Sequence, residues 1–166
     1  IIAVDSRGII GDARTNLNSE KKALLEFVDR DKTGTMEDAI TGADIFIGVS
    51  KGGLLTQAHI QSMAANPIVF ALANPIPEIM PDQARHAGVA VIATGRSDFP
   101  NQINNALAFP GIFRGALDHK VAQITDQHKT AAAEALAALV DNPTADEVIP
   151  SPFDERVVPA VAAVIQ

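Results

Sequence analysis

The chain has 166 residues, 47% of them hydrophobic and 20% charged, which is enough for one globular domain with a core. The net charge is −7 and no basic cluster exceeds the pair Lys21-Lys22, so no nucleic-acid partner is expected. Because there is no cysteine, disulfide bridges, thiolate zinc sites and a cysteine nucleophile are excluded. No apolar run reaches about 18 residues, so we expect a soluble, cytoplasmic protein with no membrane partner.

Short β-branched runs alternate with helical patterns along the first hundred residues, which is typical of parallel βαβ units. The predicted strands are residues 1–4, 44–49, 68–72 and 89–93. Three of the four are almost wholly apolar, as expected for strands that are covered on both faces. The sequence therefore predicts an α/β fold with a mostly parallel sheet flanked by helices.

Helix boundaries can be predicted between these strands. Thr35 begins a capping-box pattern, Pro81 suits a first helical position, and Gly88 suits the position after a helix end. From about residue 105 onward only helical patterns remain. There, Thr125 is the expected N-cap of an Ala-rich helix, and a final helix is predicted over residues 155–165.

In an open parallel sheet, ligands bind beyond the carboxyl ends of the strands. Asp5 follows the first predicted strand, the loop GVSKGG at 48–53 follows the second, Asn74-Pro75 follows the third and residues 94–98 follow the fourth. Each has a simpler interpretation, because Asp and Asn-Pro are common turn residues and glycine-rich loops can be merely flexible. No G-x-G-x-x-G pattern occurs, so these residues alone support dinucleotide binding only weakly.

The stretch 101–105 contains three Asn and one Gln, which offer neutral amide donors and acceptors for a small carboxylate. Asn is also a favoured N-cap, so at least one of these amides is expected to be structural. Further along, Pro110 predicts a kink, and Gly111 and Gly115 predict close helix packing. The four His show no metal-ligand spacing and no G-x-S-x-G elbow occurs, so neither a metal site nor a nucleophilic triad is predicted.

Four longer strings carry a more specific signal. They are GADIFIGVS from Gly42, PIVFALANPIPEIMP from Pro67, ATGRSDFPNQINNALAFPGIFRGALD from Ala93 and IPSPFDERVVPAVA from Ile149. Together they resemble the NAD-binding domain of the short bacterial malic enzymes, and the resemblance runs over the whole chain.

The resemblance implies NAD(P)-dependent oxidative decarboxylation of (S)-malate to pyruvate and carbon dioxide, with Mg²⁺ or Mn²⁺. It also implies binding roles for specific residues. Asp5 would hold the adenosine ribose, Gly48, Val49 and Ser50 would lie along the dinucleotide, Asn74 would reach the nicotinamide ribose and the substrate, and Asn104 and Asn105 would position nicotinamide and malate respectively. Because Asp5 would repel a 2′-phosphate, NAD is the expected cofactor; Arg7 nearby leaves NADP open.

In that family the Tyr proton donor, the Lys base, three carboxylate metal ligands and the glycine-rich turn all precede the strand that ends at Asp5. This chain contains no Tyr. We therefore expect residues 1–166 to be part of a Rossmann domain without its first strand, with the catalytic and metal-binding domain elsewhere in a longer, homodimeric enzyme. A non-catalytic nucleotide-binding or interaction module, and a nucleotide domain of the malolactic or amino-acid dehydrogenase type, are the alternatives.

Overall fold

The computed structural model describes residues 1–166 and contains five strands and seven helices. In chain order these are β1 Val4–Asp5, β2 Gly8–Ile9, α1 Ser19–Leu24, α2 Met36–Ile40, β3 Ile45–Gly48, α3 Gln57–Ser62, β4 Ile68–Ala71, α4 Pro81–His86, β5 Val91–Thr94, α5 Asn105–Asp118, α6 Asp126–Ala137 and α7 Val157–Ala163. None of the helices combines the length and the apolar character that crossing a membrane requires.

The strands β3, β4 and β5 form a parallel sheet in that order, which confirms the predicted α/β class. Phe46, Val69 and Ile92 are paired across the three strands, and each observed strand lies within two residues of its predicted bounds. Since parallel neighbours need crossover connections, helices separate these strands in the chain. All three carboxyl ends therefore lie along one edge of the sheet.

The strand predicted at residues 1–4 is observed only as the short β1 at Val4–Asp5. Strand β1 instead pairs antiparallel with β2, with Val4 opposite Ile9, and forms no ladder with β3. The reason is local: the backbone N–H of Arg7 donates to Asp5 Oδ1 at 2.8 Å, and Gly8 has a φ of +105°, so the chain turns back at once. The simpler interpretation of Asp5 as a turn residue is therefore confirmed.

One face of the parallel sheet carries the larger hydrophobic core. Val69, Ala71 and Ile92 on this face are buried together with Ile60 of α3 and Ala84 of α4. Burial of aliphatic side chains at this density is the main stabilising term for such a layer. Helices α3 and α4 therefore fix the sheet from this side.

The opposite face of β3 is not covered. Ile45, Ile47 and Val49 alternate along it and are 53%, 63% and 79% exposed. The strand predicted at 44–49 is therefore covered on one face only in this chain. Its apolar composition matches a strand that is buried on both faces, but only the face of Phe46 and Gly48 has partners here.

Helices α5, α6 and α7 form a second core in the carboxy-terminal third. A Cβ added at Gly111 would lie 2.5 Å from Cβ of Val161, and one added at Gly115 would lie 2.5 Å from the Ala162 carbonyl oxygen. The predicted close packing at these glycines is confirmed, since α5 and α7 approach too closely for any larger residue. Pro110 lies inside α5.

The predicted helix starts at Thr35 and Thr125 are confirmed. Each side chain accepts a hydrogen bond from the backbone N–H three residues later, and each forms a reciprocal capping box. The partner is Asp38 in the first case and His128 in the second. Reciprocal caps of this kind satisfy backbone donors that the helix itself leaves unpaired.

Candidate functional site

The structure separates the predicted binding residues into two neighbouring places at the carboxyl edge of the sheet. Asp5, Gly48, Val49 and Ser50 line a groove of about 780 Å³ between the β1–β2 hairpin and β3. Asn74 and Asn104 line a smaller pocket beside β4 and β5. Asn105 lines neither of them.

In the groove, Asp5 is fully engaged by groups of the chain itself. Arg14 binds its carboxylate in a bidentate manner at 3.1 and 3.2 Å, Lys21 Nζ donates to Oδ2 at 2.6 Å and the Arg7 backbone N–H donates to Oδ1. The hydrogen bonds from Arg14 and Lys21 hold the pKa of Asp5 far below its usual range. The carboxylate is therefore ionised, and each of its oxygens accepts two hydrogen bonds.

The two cations on Asp5 differ in how easily they can leave it. The Arg14 side chain is 17% exposed, whereas that of Lys21 is 38% exposed. Lys21 forms a single hydrogen bond through a flexible side chain, whereas the planar guanidinium of Arg14 donates to both carboxylate oxygens. A ribose hydroxyl could reach Oδ2 by replacing Lys21, so the assignment of Asp5 to the adenosine ribose stays a prediction.

The loop after β3 is held by the segment that precedes α4. The Ser50 backbone N–H donates to Glu78 Oε1 at 2.9 Å, and the Gly53 N–H donates to the Pro77 carbonyl oxygen at 3.0 Å. Gly48 is required for this arrangement, because a Cβ there would lie 2.5 Å from the Glu78 carboxylate. Gly48 therefore serves close packing against Glu78, Gly52 packs against Ile76, and Gly53 supplies a positive φ of +69°.

Glu78 also binds the loop after β4, and the sequence interpretation missed it. It is fully buried, and its Oε2 accepts a hydrogen bond from the Ala73 backbone N–H at 3.0 Å. A single acid inside the otherwise uncharged string PIPEIMP was the signal that could have identified it, since acids are almost never fully buried without partners.

The pocket beside β4 and β5 is polar, with a volume of about 370 Å³ and no hydrophobic side chain in its lining. Arg96 is the only cation that lines it. Asp98 accepts two hydrogen bonds from the Arg96 guanidinium, at 2.7 and 2.8 Å, and lies beside it at the pocket wall. Arg96 lowers the pKa of Asp98 through these bonds. The pocket thus offers amides, a hydroxyl and one paired guanidinium.

The two adjacent amides Asn104 and Asn105 have different environments. Asn104 Oδ1 accepts a hydrogen bond from the Ala106 backbone N–H at 3.0 Å, and its Nδ2 donates to the Gly95 carbonyl oxygen at 3.1 Å. It is therefore the N-cap of α5 and is also tied to the loop after β5. Asn105 is exposed at the first position of α5, and no hydrogen bond within the chain engages its side chain.

Asn101 is the structural member of the amide-rich stretch. It is buried, it has a φ of +55°, and its amide donates to the carbonyl oxygens of Ile92 and Ala145 at 3.1 and 2.8 Å. Its Oδ1 accepts from the Val148 N–H at 2.8 Å. These three bonds join the carboxy-terminal segment to β5.

No cluster of three or more His, Cys, Asp or Glu side chains with the geometry to hold a metal ion occurs in the structure. The residues of this chain thus do not fit the divalent cation that the sequence resemblance implies. No chemical step is assigned to a metal held by these residues.

The family described as "Malic enzyme, NAD binding domain" matches residues 1–164. The bifunctional malic/malolactic enzyme of Bacillus subtilis is 55% identical over 99% of this chain, and the NADP-dependent malic enzyme of Halomonas elongata is 43% identical over 99%. The crystal structure of the NAD-dependent malic enzyme of Thermotoga maritima superposes with a TM-score of 0.91 at 42% identity over 99% of this chain. The match covers 41%, 42% and 44% of these three proteins respectively.

Proposed function

The chain belongs to the malic enzyme family as its NAD-binding domain, and on this premise we propose that it works within a longer enzyme. That enzyme oxidatively decarboxylates (S)-malate to pyruvate and carbon dioxide while reducing NAD or NADP. The observation that carries the proposal is the family match over residues 1–164, nearly the whole chain. The chain spans less than half the length of the relatives it matches, so the remaining machinery is assigned to the rest of the enzyme.

The groove is proposed to hold the adenosine half of the dinucleotide. Gly48, Val49 and Ser50 line it at the carboxyl end of β3, where ligands of open parallel sheets bind. Asp5 lies across the groove from them and is proposed to accept a hydrogen bond from the adenosine ribose when Lys21 moves away. The acceptor oxygens of Asp5 match the hydroxyl donors of a ribose.

The polar pocket is proposed to hold the nicotinamide ribose and the substrate side. Asn74 lines it, and no hydrogen bond within the chain engages its amide, so both ends of the amide are available. Asn104 lines the same pocket and is proposed to position nicotinamide, while Asn105 at the start of α5 is proposed to bind malate. Arg96 is the cation nearest to this site, and it is proposed to contact a malate carboxylate when it releases Asp98.

When bound, NAD or NADP supplies the hydride acceptor for oxidation at C2 of malate. The proposed work of this chain's residues is to bind the dinucleotide in the groove and to orient the substrate with amides at the pocket. The proton donor, the base and the ligands of Mg²⁺ or Mn²⁺ are proposed to lie outside residues 1–166. Sites that form between two domains typically receive residues from both of them.

The uncovered part of the sheet supports the proposal of a longer polypeptide. Strand β3 is hydrogen-bonded only to β4, and the groove beside it has Ile2 and Val4 on one side and Ile45 and Ile47 on the other. We propose that a further parallel strand of the enzyme lies between β1 and β3, with its glycine-rich turn toward the cofactor. An unpaired apolar edge of this kind otherwise promotes pairing with other chains.

The homodimer and the cytoplasmic location are proposals of the same kind. Phe109, Phe113 and Leu117 form an exposed apolar stripe along α5, with the two rings edge to face at 5.9 Å between centroids. Such a stripe is typical of a contact surface. Sedimentation of the full-length enzyme with and without Phe113→Ser tests whether this stripe holds two copies together.

The proposed activity is tested by assaying the full-length enzyme for malate-dependent reduction of NAD and NADP with Mn²⁺ present. Turnover with pyruvate as product is expected. The isolated 166-residue chain is expected to show none, because it lacks the base and the metal ligands that the chemistry needs. Absence of turnover in the full-length enzyme would favour a non-catalytic nucleotide-binding module.

A malolactic activity is the second candidate, because the Bacillus subtilis relative is a bifunctional malic/malolactic enzyme. In that reaction malate would yield lactate and carbon dioxide with no net change in the nicotinamide cofactor. Measuring lactate and pyruvate together in the same assay separates the two activities. Lactate formed without accumulation of reduced cofactor would support the second candidate.

A further inference from the structure

One buried carboxylate joins the two loops that carry the proposed cofactor-binding residues. Glu78 is completely inaccessible to solvent. Its Oε1 accepts from the Ser50 N–H at 2.9 Å, in the loop after β3, and its Oε2 accepts from the Ala73 N–H at 3.0 Å, next to Asn74 in the loop after β4. Two loops that are far apart in sequence are therefore attached to the same side chain.

The partners of Glu78 are backbone N–H groups and not cations. None of the ion pairs in the structure includes it, and no buried side-chain oxygen or nitrogen lacks a hydrogen bond. Hydrogen bonds from two N–H groups offset part of the cost of burying a carboxylate. Only a side chain with two acceptor oxygens and no donor can satisfy both N–H groups at once.

The backbone of the same segment reinforces this attachment. The Pro77 carbonyl oxygen accepts from the Gly53 N–H at 3.0 Å, and the Glu78 carbonyl oxygen accepts from the Leu55 N–H at 2.9 Å. Gly48 leaves the space that the Glu78 carboxylate occupies, since a Cβ there would lie 2.5 Å from it. The loop after β3 is thus held along its length by residues 77–78.

We propose that Glu78 is a positioning residue that sets the distance between the adenosine side and the nicotinamide side of the cofactor site. This inference rests on the proposed function, because a dinucleotide has to contact both loops at once. Glu78 itself lies beneath the loops and touches no ligand. Its loss is expected to weaken dinucleotide binding far more than it slows the chemistry at saturating cofactor.

The variant Glu78→Gln in the full-length enzyme tests the proposal. Gln keeps the shape but offers one acceptor and one NH₂ group, so one of the two N–H groups loses its partner. The Kd for the preferred dinucleotide, measured by calorimetry, is expected to rise about tenfold or more, with kcat at saturation changing less than about threefold. Hydrogen exchange is expected to accelerate in peptides covering residues 48–55 and 72–75.

Val69→Ala is the matched control, because Val69 in β4 is fully buried like Glu78 but binds neither loop. It is expected to lower the melting temperature through a core cavity while leaving the Kd and the exchange of both loops unchanged. If Glu78→Gln does not fold, Glu78→Asp retains the charge and both acceptors but cannot span both N–H groups. It is expected to raise the Kd severalfold.

These measurements distinguish failure of the positioning role of Glu78 from failure of the proposed function. A folded Glu78 variant whose Kd and loop exchange match those of Val69→Ala would overturn the positioning role, while malate turnover by the wild type would leave the proposed function standing. Dinucleotide binding and faster loop exchange without malate turnover would support the positioning role and overturn the proposed activity. A wild-type enzyme that binds neither dinucleotide would overturn both.

Discussion

The groove and the polar pocket both lie at the carboxyl edge of the sheet, yet the residues proposed to bind a ligand, Asp5 at the groove and Asn74 at the pocket, differ in whether the chain already occupies their hydrogen-bonding groups. In the groove, the Asp5 carboxylate accepts four hydrogen bonds from the chain itself. At the pocket, the amide of Asn74 accepts and donates none within the chain, and the same holds for Asn105, which lies outside the pocket lining at the start of α5. A polar group that lies near a ligand site is available to the ligand only if its hydrogen-bonding capacity is also unused.

The largest effect on activity is expected at Asn105, whose amide is free. Asn105→Ala in the full-length enzyme should lower kcat/KM for malate about 10- to 150-fold, because a hydrogen bond to a charged carboxylate contributes roughly 1.5–3 kcal/mol. Asn105→Asp should be worse than Ala, since it places a negative charge against the substrate, while NAD affinity stays within about threefold. Near-normal malate kinetics in the Asp variant would show that Asn105 is structural.

Gly48 at the groove and Gly95 at the polar pocket differ in the space around their Cα atoms. Gly48→Ala should reduce the free energy of unfolding by about 1–3 kcal/mol, because its Cβ would overlap the buried Glu78 carboxylate. Gly95→Ala is the control at the polar pocket, where the nearest atom would lie 3.6 Å from the new Cβ. We expect little change in the free energy of unfolding of Gly95→Ala. Denaturant unfolding of both variants measures the difference, and equal losses would contradict the packing described at Gly48.

Removal of the Asp5 charge should affect stability because the groove uses it internally. Asp5→Asn is expected to lower the free energy of unfolding by about 2 kcal/mol, the typical contribution of charge-assisted hydrogen bonds. The folded-state pKa of Asp5 lies below its unfolded value, so the stabilisation is complete above the unfolded pKa and is lost as pH falls through the folded one. The difference between wild type and variant should be constant near neutral pH and should shrink below about pH 4.

The smallest effect is expected at Lys21, the more exposed cation on Asp5. Lys21→Ala frees Oδ2 for a ribose hydroxyl and leaves a more negative site. The ratio of kcat/KM for NAD over that for NADP should therefore rise about three- to fivefold, as for a half-exposed ion pair. Lys22→Ala, at the next position of α1 and without an ion pair to Asp5, should leave the ratio unchanged. An equal change in both variants would contradict the assignment of Asp5 to the ribose.

Features that depend on neighbouring residues or on a long apolar pattern could be predicted from the sequence. The capping boxes at Thr35 and Thr125 act over three residues, so their helix starts could be predicted. Strands β4 and β5 followed from apolar runs bounded by turn residues. The family could be identified because its motifs extend over the whole chain.

Which polar groups are free and which are hydrogen-bonded could not be predicted without the folded structure. Ser50 and Glu78 are 28 residues apart in sequence, and Asp5 and Lys21 are 16 apart, so no local sequence pattern predicts either contact. The difference between Asn104 and Asn105 likewise arises because α5 begins between them, and only one of the two amides points back to the Gly95 carbonyl oxygen. Availability for a ligand depends on partners that the folded chain brings together from distant positions, and short-range propensities carry no information about them.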